Sequence, residues 1–177
     1  AFAPEMVKGA IAADEEGRTS VPGLYVIGDA KYKNIQLAHM AEAQAKNAVA
    51  VIAGKKPPVD TSIVPVCIYA SPEIAYVGLS EAEAKEEGIS VKCARSLTGA
   101  NGKCLVENAE SGYVKLVSSA DTGKLLGAQL VCPRATDLVA ELAAAIERGM
   151  TAAELAAVIH PHPTFSEMIH GAAEALL

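Results

Sequence analysis

Two histidines and a glutamate stand close together near the end of the chain, at His160, His162 and Glu167. Each histidine is followed by a proline. Proline fixes its own φ and keeps the residue before it out of the helical region, so the two imidazoles are expected to be extended and to point in different directions. A histidine oriented by a carboxylate commonly serves as a general base near neutral pH. The spacing therefore allows an acid/base pair formed by His162 and Glu167.

The same residues allow a purely structural interpretation. Thr164 and Glu167 have the spacing of a capping box, in which the threonine is the N-cap of a last helix and the glutamate bonds back to the threonine amide. The pairs Ser80 and Glu83, and Thr151 and Glu154, have this spacing too, and both precede helical patterns. Spacing alone leaves three possibilities open: a catalytic pair, a cap and an ordinary surface histidine.

The string His-Pro-His-Pro-Thr-x-Ser-Glu at positions 160–167 resembles the C-terminal signature of the flavin disulfide reductases, and most of all the dihydrolipoamide dehydrogenase branch of that family. The resemblance implies that His162 is the acid/base and that Glu167 is its partner. It also makes the bond between His162 and Pro163 a candidate cis peptide.

A second motif lies near the start of the chain. Residues 24–27 form a short apolar run typical of a buried parallel strand, and Gly28 and Asp29 end it, where open α/β sheets bind ligands. Residues 19–29 resemble the family's second flavin-binding fingerprint, which implies that Asp29 binds the FAD ribityl chain. Residues 36–39 resemble the segment that brings backbone amides to the flavin ring before a long helix. The implied cofactor-binding residues are therefore Asp29, Gln36, Leu37, Ala38 and His39, and His39 is expected to be structural rather than catalytic.

One departure from the family pattern lies in that helix, because Gln44 and Ala45 stand where the family usually has Glu-Gly. The departure leaves the packing of the helix in question.

Composition narrows the function classes. The chain has 177 residues, of which 51% are hydrophobic, enough to fill a core. Its 15 basic and 21 acidic side chains give a net charge of −6, which argues against nucleic acid or an anionic membrane as partner. No stretch is long and apolar enough to predict a membrane span, and the predicted location is cytoplasmic. The four cysteines are far apart, so no metal site is predicted and inert thiols are expected.

The run Gly-Lys-Lys-Pro-Pro at positions 54–58 predicts a domain boundary, since glycine breaks a helix and paired prolines stiffen a connector. The pattern predicts a strand, a loop and a helix in residues 1–58, which the resemblance identifies as the C-terminal part of an FAD-binding domain. In residues 59–177 the pattern predicts an α+β domain, with an antiparallel sheet and helices on one side, which the resemblance identifies as a dimerisation domain. Strands at 113–119 and 124–132 should form a hairpin, and residues 98–108 are expected to be a loop with a possible short strand.

Three features of disulfide reductases are missing from the sequence: two glycine-rich dinucleotide loops and a Cys-x-x-x-x-Cys redox pair. The resemblance therefore implies the C-terminal portion of a longer homodimeric enzyme that uses FAD and NAD. This chain alone is expected to be inactive and to bind neither cofactor tightly. The implied substrate is dihydrolipoamide carried by a 2-oxoacid dehydrogenase or glycine cleavage complex. The alternatives are a glutathione-reductase-type enzyme and a non-catalytic dimerisation module.

Overall fold

The computed structural model describes residues 3–177, which form two compact units. The first unit ends at Ser62, and the second spans Ile63–Leu177. The boundary lies just after the proline-containing connector at positions 54–58.

The first unit is built around one long helix. Strands β1 (Met6–Val7) and β2 (Ala10–Ile11) form a small antiparallel sheet, and α1 spans Ala38–Ile52. Four residues of α1 are buried at helical spacing, namely Met40, Gln44, Asn47 and Ala48. The Asn47 amide exchanges two hydrogen bonds with the Val59 backbone, at 2.8 and 2.9 Å, and so ties the chain after the helix back onto it.

Residues 24–27 do not form the predicted strand. The run is extended and Val26 is buried, but its ladder partner is limited to a single bridge between Arg18 and Tyr25. A strand is defined by pairing with a neighbouring strand. Within residues 3–177, no parallel strand pairs with residues 24–27. The apolar run therefore predicts burial correctly and the strand ladder incorrectly.

The second unit contains the predicted antiparallel sheet. Its five strands lie in the order β3-β4-β7-β6-β5, and every neighbouring pair is antiparallel. The strands are β3 (Val66–Ile68), β4 (Ile74–Gly78), β5 (Val91–Leu97), β6 (Tyr113–Ser119) and β7 (Leu125–Val131). The predicted hairpin is confirmed as β6 and β7.

One face of this sheet forms the core. In β6, Val114 and Leu116 are buried and pair with Leu130 and Ala128 of β7. Because side chains alternate along a strand, these residues point to the same side, where α4 (Ala135–Glu147) and α6 (Glu167–Glu174) pack. The short helices α3 (Gly102–Val106) and α5 (Ala152–Ala156) add Cys104 and Leu155 to the same core.

Helix α2 (Glu81–Glu86) is the exception to the one-sided arrangement. Its Glu81 accepts a hydrogen bond from the Lys115 ammonium at 2.8 Å. Lys115 lies between Val114 and Leu116 in β6, so its side chain points to the opposite face of the sheet. The architecture is the predicted α+β fold, with one short helix on the second face.

The segment at residues 98–108 differs from its prediction as a loop. It contains a 3₁₀ turn, Thr98–Ala100, followed by α3. Asn101 caps α3, because its side-chain oxygen accepts a hydrogen bond from the Cys104 amide at 2.9 Å. The glycines at 99 and 102 favour a loop by propensity, whereas burial of Cys104 against the core favours the helix.

Candidate active site

His162 lies on the surface of the second unit, in the connection between α5 and α6. Its side chain is 76% exposed, and its Nδ1 lies 2.9 Å from Oε1 of Glu167. The bond between His162 and Pro163 is cis, as expected from the sequence. Its ring lies beside the start of α3, since a Cβ added to Gly102 would be 3.9 Å from its Cε1. The structure thus brings the two predicted residues together while leaving the imidazole open.

Glu167 uses its two oxygens for different partners. Oε1 faces His162, and Oε2 accepts a hydrogen bond from the Thr164 amide at 2.8 Å. The hydrogen bond from the Thr164 amide, and then the one from His162, hold the pKa of Glu167 below its usual range. The carboxylate is therefore ionised at neutral pH and can act only as an acceptor.

The capping interpretation is half correct. The Thr164 amide binds the Glu167 carboxylate, but the Thr164 hydroxyl donates to the Pro161 carbonyl at 2.7 Å instead of accepting from the Glu167 amide. Helix α6 begins at Glu167, with Ser166 as its N-cap. By contrast, Ser80 with Glu83 and Thr151 with Glu154 form complete capping boxes.

The pairing determines what the imidazole can do. An ionised carboxylate accepts hydrogen bonds, so the Nδ1 of a neutral His162 donates its proton to Glu167. The lone pair of that ring is then on Nε2, on the atom remote from the carboxylate. A ring fixed in this tautomer can accept a proton at Nε2, and the carboxylate stabilises the resulting cation.

His160 is arranged differently from His162. Its side chain is 5% exposed, and its Nε2 lies 2.9 Å from Oε1 of Glu141 in α4. Its Nδ1 lies 3.0 Å from the Val158 carbonyl. The two histidines therefore point in different directions, as the prolines predict, and His162 is the exposed one.

The sequence analysis did not predict a role for Asn101, which hydrogen-bonds to the connection between α5 and α6. Its Nδ2 donates to the Thr164 carbonyl at 3.0 Å while its Oδ1 caps α3. The side chain therefore links the start of α3 to the residue after the cis proline. An asparagine three residues before the first buried position of a helix is an N-cap signal, and weighing it would have predicted α3.

Asp29 is exposed on a tight turn in the first unit. The 3₁₀ turn spans Gly28–Ala30, and the Gly28 amide donates to Oε1 of Gln44 at 2.8 Å. Asn34 donates to the Gly28 carbonyl at 2.9 Å and accepts from the Gln44 amide at 2.7 Å. Gly28 has φ +63°, and a Cβ there would lie 2.9 Å from the Cβ of Ala41, so only glycine fits. Gln44, the departure from the family pattern, thus orders the turn that presents Asp29.

The other predicted cofactor-binding residues surround the start of α1. Gln36, Ala38 and His39 are exposed, and Leu37 is partly buried. Leu37 is the N-cap and provides no side-chain hydrogen bond, because leucine has no polar group. A helix start without a side-chain cap has backbone amides that can bind a polar group of a ligand.

No three histidine, cysteine, aspartate or glutamate side chains within residues 3–177 are placed to hold a metal ion. No helix in the described part of the chain has the length and apolar character of a membrane span.

Comparison with known proteins identifies the family. Residues 64–173 match the family described as "Pyridine nucleotide-disulphide oxidoreductase, dimerisation domain", and residues 4–45 match "Pyridine nucleotide-disulphide oxidoreductase". The chain belongs to the pyridine nucleotide-disulphide oxidoreductases. The His162 and Glu167 pair lies within the segment that matches the dimerisation domain of this family.

Two similar sequences carry the same enzyme name. The chain is 43% identical to the dihydrolipoyl dehydrogenase of Geobacillus stearothermophilus over 170 residues, which cover 96% of the chain and 36% of the relative. It is 44% identical to that of Chlorobaculum tepidum over 170 residues, with coverages of 96% and 36%. The chain thus spans about a third of the length of these relatives.

Solved structures agree on the fold. The chain resembles LpdA from Mycobacterium tuberculosis, with a TM-score of 0.88, 26% identity, and coverage of 95% of this chain and 37% of that one. It also resembles the flavoprotein disulfide reductase RclA from Escherichia coli, with a TM-score of 0.87, 21% identity, and coverages of 96% and 39%. The second likeness is evidence for the fold alone.

Proposed function

We propose that this chain is part of a flavin-dependent dihydrolipoamide dehydrogenase, which oxidises dihydrolipoamide with NAD⁺ through FAD and a redox disulfide. In this enzyme the chain supplies the acid/base pair and the dimer interface. One observation carries the proposal: an exposed imidazole, His162, has its Nδ1 on an ionised carboxylate and its Nε2 directed away from it. The relatives named dihydrolipoyl dehydrogenase support the choice of substrate.

In the proposed mechanism His162 moves one proton. A thiol becomes a strong nucleophile on losing its proton, so Nε2 accepts a proton from the dithiol substrate. The thiolate then attacks the enzyme disulfide, so that one S–S bond breaks as a mixed disulfide forms. Glu167 stabilises the imidazolium and holds the plane of the ring. Thr164 keeps Glu167 in place through its amide at 2.8 Å.

The first unit fits a flavin at the residues named by the resemblance. Asp29 is exposed on a turn that Gln44 and Asn34 hold, and a carboxylate there can accept hydrogen bonds from ribityl hydroxyls. Residues 36–39 lie at the start of α1, where backbone amides could donate hydrogen bonds to the polar edge of the flavin ring. When bound, FAD supplies reversible electron transfer between the disulfide and NAD.

We also propose the domain roles and the assembly. Residues 1–58 would be the end of the FAD-binding domain, and residues 59–177 the dimerisation domain of a homodimer. His162 of one protomer would act at the disulfide of its partner. The neighbouring Ile159 is 94% exposed and Val158 is 41% exposed, and apolar side chains on the surface are typical of such an interface. The dihydrolipoyl group would be carried by a 2-oxoacid dehydrogenase or glycine cleavage complex.

Replacement of His162 by glutamine in the flavin-loaded enzyme containing this chain tests the proposal. Loss of a positioned base should lower the rate of dihydrolipoamide oxidation by about 10²- to 10⁴-fold. Electron transfer from NADH to a dye does not need that base and should stay near the wild-type rate. Equal loss of both activities, or undiminished dithiol oxidation, would contradict the base role. A parallel assay with glutathione disulfide and NADPH tests the glutathione-reductase alternative.

A further inference from the structure

Both ring nitrogens of His160 lie within hydrogen-bond distance of an acceptor. Its Nε2 lies 2.9 Å from the Glu141 carboxylate, and its Nδ1 lies 3.0 Å from the Val158 carbonyl. A neutral imidazole has a single N–H, which it can donate to the Glu141 carboxylate or to the Val158 carbonyl depending on the tautomer. The His160 side chain is 5% exposed and contacts Glu141 of α4. The His170 ring of α6 also lies close to it, with 5.4 Å between the two ring centroids.

The connection that carries His162 is anchored again just after that residue. The Thr164 hydroxyl donates to the Pro161 carbonyl at 2.7 Å, and the Thr164 carbonyl accepts from Asn101 at 3.0 Å. Proline at 161 also fixes its own φ. His162 therefore lies on a short, restricted bridge whose first end is His160.

Because the backbone between His160 and His162 is restricted, the contact that holds His160 also affects the position of His162. Few soft torsions separate the α-carbons of His160 and His162, so a shift of His160 changes the direction of the His162 ring. Glu141 is 19 residues from His160 in the chain, so the contact joins the connection to a different helix. A misplacement of about 1 Å at a reacting group can cost about 10²-fold in rate.

We propose that Glu141 and His160 are a positioning pair, which aims the imidazole of His162 at the dithiol substrate. This role rests on the function proposed above. Neither residue contacts the substrate; both act through the backbone that leads to His162. The pair holds the connection in place from α4, while Glu167 orients the ring itself.

The test compares two replacements of Glu141 in the flavin-loaded enzyme containing this chain. Glu141→Ala removes the anchor and should lower kcat for dihydrolipoamide oxidation by about 10- to 100-fold, with KM within about twofold of wild type. Glu141→Gln keeps a hydrogen bond to a neutral His160, so its kcat should stay within about threefold. NADH-to-dye activity should be unchanged in both variants.

A matched control lies on the same helix. Glu147 is exposed at the end of α4, and Glu147→Ala should leave both activities at wild-type levels. If Glu141→Ala does not fold, Glu141→Leu removes the same hydrogen bond while filling the volume, and the same loss of kcat is expected.

The proposal is overturned if the folded Glu141→Ala or Glu141→Leu enzyme keeps the wild-type kcat, or if dithiol and dye activities fall in equal proportion. It is also overturned if Glu141→Gln is as impaired as Glu141→Ala, because charge and not position would then matter. The His162→Gln variant separates this inference from the proposed function. If His162→Gln lowers dithiol turnover and Glu141→Ala does not, only the positioning role fails.

Discussion

Replacement of Asn101 should destabilise the second unit through two separate hydrogen bonds. Asn101 is 6% exposed. Its side-chain oxygen accepts a hydrogen bond from the Cys104 amide at 2.9 Å, and its side-chain nitrogen donates to the Thr164 carbonyl at 3.0 Å. Loss of an N-cap costs about 1 kcal/mol. A carbonyl left without its partner costs about 1 to 3 kcal/mol more. Asn101→Ala should therefore lower the free energy of unfolding by about 2 to 4 kcal/mol.

Serine separates the two contributions. Asn101→Ser keeps a good N-cap but cannot reach Thr164 as asparagine does, so it should recover about 1 kcal/mol relative to Asn101→Ala. Urea unfolding of the chain, followed by circular dichroism, measures both variants. Lys103→Ala, in the same helix, is the control: it removes a partly exposed ion pair with Glu107 and should change stability by less than about 0.5 kcal/mol.

Two results would refute this reasoning. If Asn101→Ala unfolds within about 0.5 kcal/mol of wild type, neither hydrogen bond contributes what the structure implies. If Asn101→Ser is no more stable than Asn101→Ala, the capping contribution is wrong and the whole loss belongs to the Thr164 contact.

Two further predictions concern the sheet and its second face. Gly127→Ala should prevent stable folding, because the new Cβ would clash with the Leu79 backbone, 2.7 Å from its nitrogen. Gly99→Ala is the control, since a Cβ at Gly99 would have no atom within 4 Å. In a thermal melt, Gly99→Ala should unfold at the wild-type temperature. Hydrogen bonds from Lys115 and Lys85 lower the pKa of Glu81 to about 2. The ionised Glu81 carboxylate should therefore stabilise the fold fully above about pH 4.3, the ordinary pKa of a glutamate in an unfolded chain, and this stabilisation should be lost as the pH falls towards 2. Carboxyl NMR titration of Lys115→Met should find that pKa raised towards its ordinary value, and an unchanged titration would contradict the assignment.

Much of the local structure could be predicted from the sequence, because its causes lie within a few residues. Ser80 with Glu83 and Thr151 with Glu154 start helices through hydrogen bonds that span three positions. The predicted strands at 113–119 and 124–132 flank a short turn, so their pairing follows from neighbouring residues. The contact between His162 and Glu167 spans five positions, and the same string of residues carries the family resemblance.

Other features depended on parts of the chain that are distant in sequence. The apolar run at 24–27 predicted burial, but it could not predict that a strand partner is absent. Strand pairing depends on a second segment of the chain as well as on the run itself. Helix α3 forms among glycines because Cys104 packs in the core and Asn101 reaches Thr164, 63 residues away. His160 and His162 are alike in sequence, since both are followed by proline, but the structure places His160 against Glu141 of α4 and leaves His162 exposed. The residue types and local spacing thus determined the possible chemistry, whereas packing between distant elements determined which imidazole is buried and which is exposed.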